Sequence, residues 1–266
     1  MIDEVVSKAP IFLLVAIRCF ALLLSMPLFS MQTVPRTAKV ALASYMAYIV
    51  LPLVNFSVYE PFFRSDGLFD LTYVFLLIGE AMIGVIIGFF VTIIFAAFST
   101  AGQFFAFQMG LTAAEVLDTF SQVQNPVMGQ FFNLMAMLLF LQSKWFQKLF
   151  LTGLIKSFQS LNVFSLLSSK AAFITFFLGS LSELFRDALV IALPVSGVLF
   201  LVNISLGVLA RAAPQMNLFS EGFALLSLVS YFVISIFMPQ LCDFFERSFN
   251  LAITNLVALM SGVQGG

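Results

Sequence analysis

Leu71–Ala101 reads LTYVFLLIGEAMIGVIIGFFVTIIFAAFSTA, an apolar run broken by a single charge, Glu80. As a helix it is more than long enough to cross the roughly 30 Å hydrocarbon core of a bilayer. It shows no period-two alternation of apolar and polar residues, so a strand reading fails and the run is helical. The whole chain has the same character: of its 266 residues 61% are hydrophobic and 9% charged. A soluble domain is closer to about 25% charged, so too little polar surface remains to coat a water-soluble particle. The chain belongs in a bilayer, or inside a large assembly that hides its surface, and its fold class is all-α.

Working outward, Ala9–Met31 is an apolar run with Arg18 near its middle, followed by a short basic loop with Pro35, Arg36 and Lys39. Val40–Phe56 is barely long enough to span, and an acidic connector with Glu60, Arg64, Asp66 and Asp70 follows it. Beyond the central run, Gly102–Pro126 is rich in Gln, Thr and Ser, carries Glu115 and Asp118, and has no Lys or Arg. Val127–Leu141 is a shorter apolar run, and Lys144, Lys148, Lys156 and Lys170 stud the amphipathic stretch after it. Ala171–Ala210 would be about 60 Å long as one helix, with Glu183, Arg186, Asp187 and Pro194 as places to break it. Leu218–Cys242 is the last clear run, and Phe249–Met260 reads as a separate amphipathic segment. The acidic start, Met1-Ile2-Asp3-Glu4, lacks the basic opening of a secretory signal, so the first run is expected to be a retained anchor.

The charges exclude several functions. Twelve Lys and Arg against thirteen Asp and Glu give a net charge of −1, with no basic excess for nucleic acid. Histidine is absent, which removes the commonest general base and metal ligand. Cys19 and Cys242 lie in apolar runs at opposite ends of the chain and suggest small buried hydrophobes, not a disulfide or a metal site. No phosphate loop or dinucleotide fingerprint occurs, and the expectation is a protein with no catalytic residues, metal or cofactor. The charge-sidedness test half fails: counting runs alternately puts the four lysines on the same side as the acidic connector. Either one run does not span, or the chain is not a simple serpentine of bilayer crossings; the second is the expectation.

Arg18 and Glu80 are the sharpest charges within apolar runs. Each would cost about 2.5–3.5 kcal/mol at mid-bilayer, so they need partners: each other, a neighbouring subunit, or a watered cavity. Glu183, Arg186 and Asp187 share one helical face by their spacing, consistent with a polar hinge between two helices. Gly84 and Gly88 form a G-x-x-x-G step, a face on which another helix can approach closely. The 35 phenylalanines read mostly as lipid-facing or subunit-facing bulk, with a pore gasket as the functional alternative. Near the end of the long 171–210 run, Arg211 and Pro214 stop the helix, and Gln215 and Asn217 turn the chain into the next run, the grammar of a helical hairpin.

At Arg211-Ala-Ala-Pro-Gln-Met-Asn217 and Gly222-Phe223 the chain resembles the FliR family of flagellar biosynthesis proteins, whose virulence counterparts are called SctT. The resemblance extends over the whole chain through Arg18, Pro27, Pro35-Arg36, Glu80, Gly84, Gly88, Gly102, Gln108-Met109-Gly110 and Leu193-Pro194. Two departures stand out: Ala224 where many members have Pro, and Ser143-Lys144-Trp145 where many have a Gly-His pair.

The resemblance implies a non-enzymatic subunit of the flagellar type III export gate in the bacterial inner membrane, at the basal body. Its implied partners are FliP, FliQ, FlhB and FlhA homologues, membrane lipid, and exported unfolded proteins as substrate. It further implies that residues 1–180 are FliP-like and 181–266 form a FliQ-like hairpin with the C-terminal segment. A polar segment near 107–124, including Phe107, Gln108, Met109, Gly110, Glu115 and Asp118, would plug the closed channel. Arg18, Glu80, Glu183, Arg186, Asp187, Arg211, Gln215 and Asn217 become candidates for polar contacts between subunits. A virulence export gate, a secondary transporter and a non-conducting scaffold are the competing readings.

Overall fold

The computed structural model describes residues 2–30, 34–54, 59, 71–111, 127–212 and 221–262, and among these every regular element is helical. In chain order they are α1 (Ile2–Ser25), α2 (Pro27–Ser30), α3 (Arg36–Val50), α4 (Leu71–Gln108) and α5 (Val127–Gln142). Then come α6 (Trp145–Lys148), a π-helical turn over Leu149–Leu154, α7 (Ile155–Ser160), α8 (Val163–Ser168), α9 (Lys170–Ala212) and α10 (Glu221–Gly262).

The first two apolar runs make shorter helices than their sequence span suggests. Pro27 has no amide hydrogen and disfavours helical geometry at Met26, so α1 ends at Ser25. Pro52 stands in a single 3-10 turn, Leu51–Leu53, that ends α3 after 15 residues. Among the described residues three helices are long and apolar enough to cross a membrane: α4, α9 and α10.

The expected breaks in the last two helices do not occur. α9 runs unbroken for 43 residues through Glu183, Arg186, Asp187 and Pro194, and α10 for 42 residues through Pro239, joining the last apolar run to the segment read as separate. A proline removes one backbone hydrogen bond, whereas ending a helix orphans up to four donors or acceptors; among apolar surroundings the single defect is the smaller cost. The charged trio is therefore a polar belt on a continuous helix, not a hinge.

The chain packs as two compact units that interleave along the sequence. The first comprises Met1–Ile93, Lys144–Ser180 and Leu251–Gly266; the second comprises Ile94–Ser143 and Leu181–Asn250. Each unit takes residues from both sides of the 180/181 boundary, and Ser180–Leu181 is one point where the chain passes between them.

In the first unit α1 packs along α3, with Leu14, Leu22, Leu23, Met46 and Val50 buried. The second unit is built around phenylalanine. Phe98 and Phe249 each lie 4.5 Å, ring centre to ring centre, from Phe245, and Phe95 and Phe140 close the cluster. The aromatic residues read as peripheral bulk thus supply much of this core, although Phe107, Phe200 and Phe232 do face outward.

Candidate functional site

The densest polar construction lies inside the first unit and starts from a broken helix. Between α7 and α8 the chain is extended at Leu161, so the Leu161 carbonyl and the Val163 amide have no partner within a helix. Asn162 caps α8: its side chain accepts from the Ser165 amide at 2.7 Å, and its own amide donates to the Ser165 hydroxyl at 2.9 Å. Arg18 of α1 takes the free carbonyl, donating from Nη2 to Leu161 O at 3.0 Å. Its Nη1 donates to Ser157 Oγ at 3.2 Å, and its Nε donates to Glu80 Oε2 at 2.5 Å. The Tyr59 hydroxyl accepts from the Val163 amide at 3.0 Å and donates to Glu80 Oε1 at 2.6 Å.

Arg18 and Glu80 are 1% and 0% exposed, so this ion pair is fully dry. The Phe158 ring lies 4.0 Å from the guanidinium carbon, adding a cation–π face. Burial first, then the Glu80 carboxylate, push the Tyr59 phenol above its ordinary range. Of the partners open to Arg18 and Glu80 in the sequence, the structure places them against each other, within the chain.

The two glycines of the G-x-x-x-G step explain how α1 reaches α4. A Cβ on Gly84 would land on the Arg18 carbonyl oxygen, and one on Gly88 would meet the Ser25 hydroxyl and the Leu22 carbonyl. Only hydrogen fits there, and Thr92 adds a hydrogen bond from its hydroxyl to the Ser25 carbonyl at 2.6 Å. This gives a sign test. Gly→Ala in a helix ordinarily gains up to about 1 kcal/mol. Gly197→Ala, with nothing within 4 Å of the new methyl, should show that gain, whereas Gly84→Ala should lose about 1–3 kcal/mol to overpacking. Thermal unfolding of the two purified variants reads the difference; equal shifts would contradict the close approach.

At the other end of α4, in the second unit, Phe107 is exposed and Met109 buried. The Met109 amide donates to Phe105 O at 2.9 Å and the Gly110 amide to Phe107 O at 3.1 Å. Gly110 has φ +74°, the left-handed conformation that ends a helix and that glycine adopts without strain. Asn203 of α9 donates from its amide nitrogen to the Gln108 carbonyl at 3.3 Å. Glu115 and Asp118 lie outside the described residues, as do Gln215 and Asn217.

On α9, Glu183 and Arg186 are exposed, and the ion pair formed is Arg186–Asp187 at 3.3 Å, between adjacent residues. A second set of charges, Asp243, Glu246 and Arg247, sits on α10, where Glu246 accepts from the Ser143 hydroxyl at 2.5 Å. Sequence reading passed over that set because it falls between two runs that proved to be one helix. Arg211, in the last turn of α9, is exposed, so within a single chain its loss would leave no buried partner unsatisfied. Tyr59, Ser157 and Asn203 were also missed. The first two carry no local signal, whereas Asn203 could have been noticed as the only amide between Ala188 and Ala210.

Beyond those charges, Ala188–Ala210 and Phe223–Cys242 contain no Asp, Glu, Lys or Arg. They would extend roughly 35 Å and 30 Å, the depth of one hydrocarbon core. Only 22% of the most apolar stretch of α9 and 28% of that of α10 is buried within the chain. Surfaces of this kind face lipid or other proteins. The fold and these features define an all-α, membrane-embedded protein whose long helices present apolar faces to lipid or to other proteins.

The family described as "Bacterial export proteins, family 1" matches residues 9–252, and the chain belongs to it. It is 32% identical over 264 residues to the flagellar biosynthetic protein FliR of Bacillus subtilis, covering 97% of this chain and 98% of that protein. The flagellar biosynthetic protein FliR of Escherichia coli K12 is 30% identical over 245 residues, covering 91% and 89%. The surface presentation of antigens protein SpaR of Shigella flexneri is 33% identical over 173 residues, 65% of each chain.

Proposed function

We propose that this chain is a non-enzymatic subunit of the flagellar protein export gate, helping to form the channel through which unfolded flagellar subunits leave the cell. The observation that carries the reading is the end of α4. Its last carbonyl is held by Asn203, which lies about 12 Å along α9 from the charged end at Arg211 and about 24 Å from Asp187. The helix therefore stops within the apolar stretch, and the chain leaves it into a polar sequence containing Glu115 and Asp118. At Gly110, with φ +74°, the helical backbone is interrupted, and such an interruption is tolerated at that depth only when packed in protein or lining water. A subunit at the wall of an aqueous channel meets that condition.

The likeness to FliR proteins over nearly the full chain favours the flagellar branch over the virulence branch, for which SpaR covers 65%. On this reading the gate also contains FliP, FliQ, FlhB and FlhA homologues and stands in the inner membrane at the basal body. Residues 1–180 correspond to a FliP-like part and 181–266 to a FliQ-like hairpin. Glu183, Arg186, Asp187 and Arg211, which the chain leaves open to its surroundings, together with Gln215 and Asn217, are the polar groups offered to neighbouring subunits. The segment from Phe107 to Gln124 closes the channel at rest.

Two measurements test this. Co-expression with the FliP- and FliQ-like proteins of the same genome, followed by native mass spectrometry, should give one copy of this chain in a larger defined assembly; a monomer or homodimer that ignores those partners would overturn the reading. Deleting Gly110–Ser121 should make the assembled gate leak small ions, and an unchanged conductance would remove the channel-closing role.

A further inference from the structure

We propose that α8 is a latched, releasable element of the first unit, with Arg18 fixing the end of α7 as a post and the Tyr59 hydroxyl acting as the catch. The inference stands apart from the channel reading. It begins with how little α8 buries: none of its six residues is fully buried, and Phe164 and Leu167 are exposed. On the other side of the break, α7 buries Ser157 and Phe158. Segments with few buried apolar contacts are the ones that open locally, at a lower free energy than global unfolding.

Against that weak packing stand two ties to one fully buried carboxylate. Each oxygen of Glu80 holds a side chain, and each of those side chains holds one edge of the break. Oε2 takes Arg18, which donates to the Leu161 carbonyl on the α7 side. Oε1 takes Tyr59, whose oxygen accepts from the Val163 amide on the α8 side at 3.0 Å. Val163 is also seated where Gly79 leaves room on α4, because a Cβ there would lie 2.5 Å from a Val163 methyl. Of the two arms only that of Tyr59 reaches α8, so the Arg18 arm can stay closed while α8 leaves. Ser169 alone separates α8 from α9. Uncoiling the six residues of α8 would lengthen their span from about 9 Å to about 20 Å, giving the start of α9 slack to shift against α7.

Hydrogen exchange on the full chain in detergent, resolved by peptide, tests this. In the unaltered chain the amides of 166–169, which α8 protects, should exchange faster than those of α7 and α1. Tyr59→Phe removes the catch and should speed α8 a further twofold to tenfold or so relative to α7, the weight of one hydrogen bond. Gly79→Ala keeps every hydrogen-bonding group yet wedges Val163 away, and should speed the same peptide while leaving α7 unchanged. An unaltered chain in which α8 exchanges in step with α7 and α1 would overturn the proposal, since the three would then open as one block. Variants that speed α7 and α8 equally would also overturn it, by making Tyr59 part of a common core. Should Tyr59→Phe fail to fold, Gly79→Ala and the unaltered chain carry the same comparison.

Discussion

Replacing Arg18 by methionine will destabilise the first unit by about 3–5 kcal/mol, the cost of leaving a buried charge without its partner. Methionine preserves much of the side-chain length and removes the charge. Among the described residues, Glu80, 0% exposed, is then left with the Tyr59 hydroxyl as its hydrogen-bonding partner. The Leu161 carbonyl, orphaned by the break between α7 and α8, loses its donor at the same time. Arg18→Lys should fare little better, since a single ammonium cannot reach Glu80, Ser157 and Leu161 in the fork geometry that a guanidinium provides. The informative variant is the double one. Arg18→Met with Glu80→Leu removes both charges and should recover much of the single variant's loss. Thermal unfolding of the three variants in detergent reads this, and a double variant as unstable as the single would show that the pair is not the source of the effect.

Phe245→Ala should cost a similar amount in the second unit, about 3–5 kcal/mol, through lost burial and the cavity left behind. Phe245 is 1% exposed and its ring meets those of Phe98 and Phe249 at 4.5 Å, the first an edge contact. Three helices cannot collapse into that hole without moving α4 against α10, so relaxation will be partial. Phe232 on the same helix is 67% exposed and supplies the control: truncating it should change the chain's own stability little. Matched losses for the two variants would mean that the aromatic cluster is not the core of this unit.

The two predictions show how unevenly the site could be read beforehand. That Arg18 and Glu80 needed partners followed from the cost of burying charge in apolar runs. That each is the other's partner could not follow, because 62 residues separate them and nothing local relates their directions. Gly84 and Gly88 announced a close helix approach by their spacing; that the approaching helix is α1 is a matter of packing. Tyr59 and Ser157 gave no warning, since a tyrosine in a connector and a serine on an amphipathic helix are unremarkable until a broken helix presents groups for them to satisfy. The misreading of Glu183, Arg186, Asp187 and Pro194 has a different origin. Local breaker rules weigh one residue at a time, whereas a helix end would orphan a whole turn of backbone in apolar surroundings.

By itself the sequence determined that this protein is helical and belongs in a bilayer or inside an assembly that hides its surface, because sustained apolar runs without alternation leave too little polar surface for water and favour the structure that satisfies its own backbone hydrogen bonds. It also determined the chemistry the protein lacks the residues for, since a chain without histidine cannot build a histidine-based site. Only the tertiary structure decided which charges meet, where α4 stops relative to α9, and that phenylalanine forms a core. Those outcomes depend on contacts between residues far apart in the chain, and such contacts are set by packing among helices rather than by the pattern along any one of them.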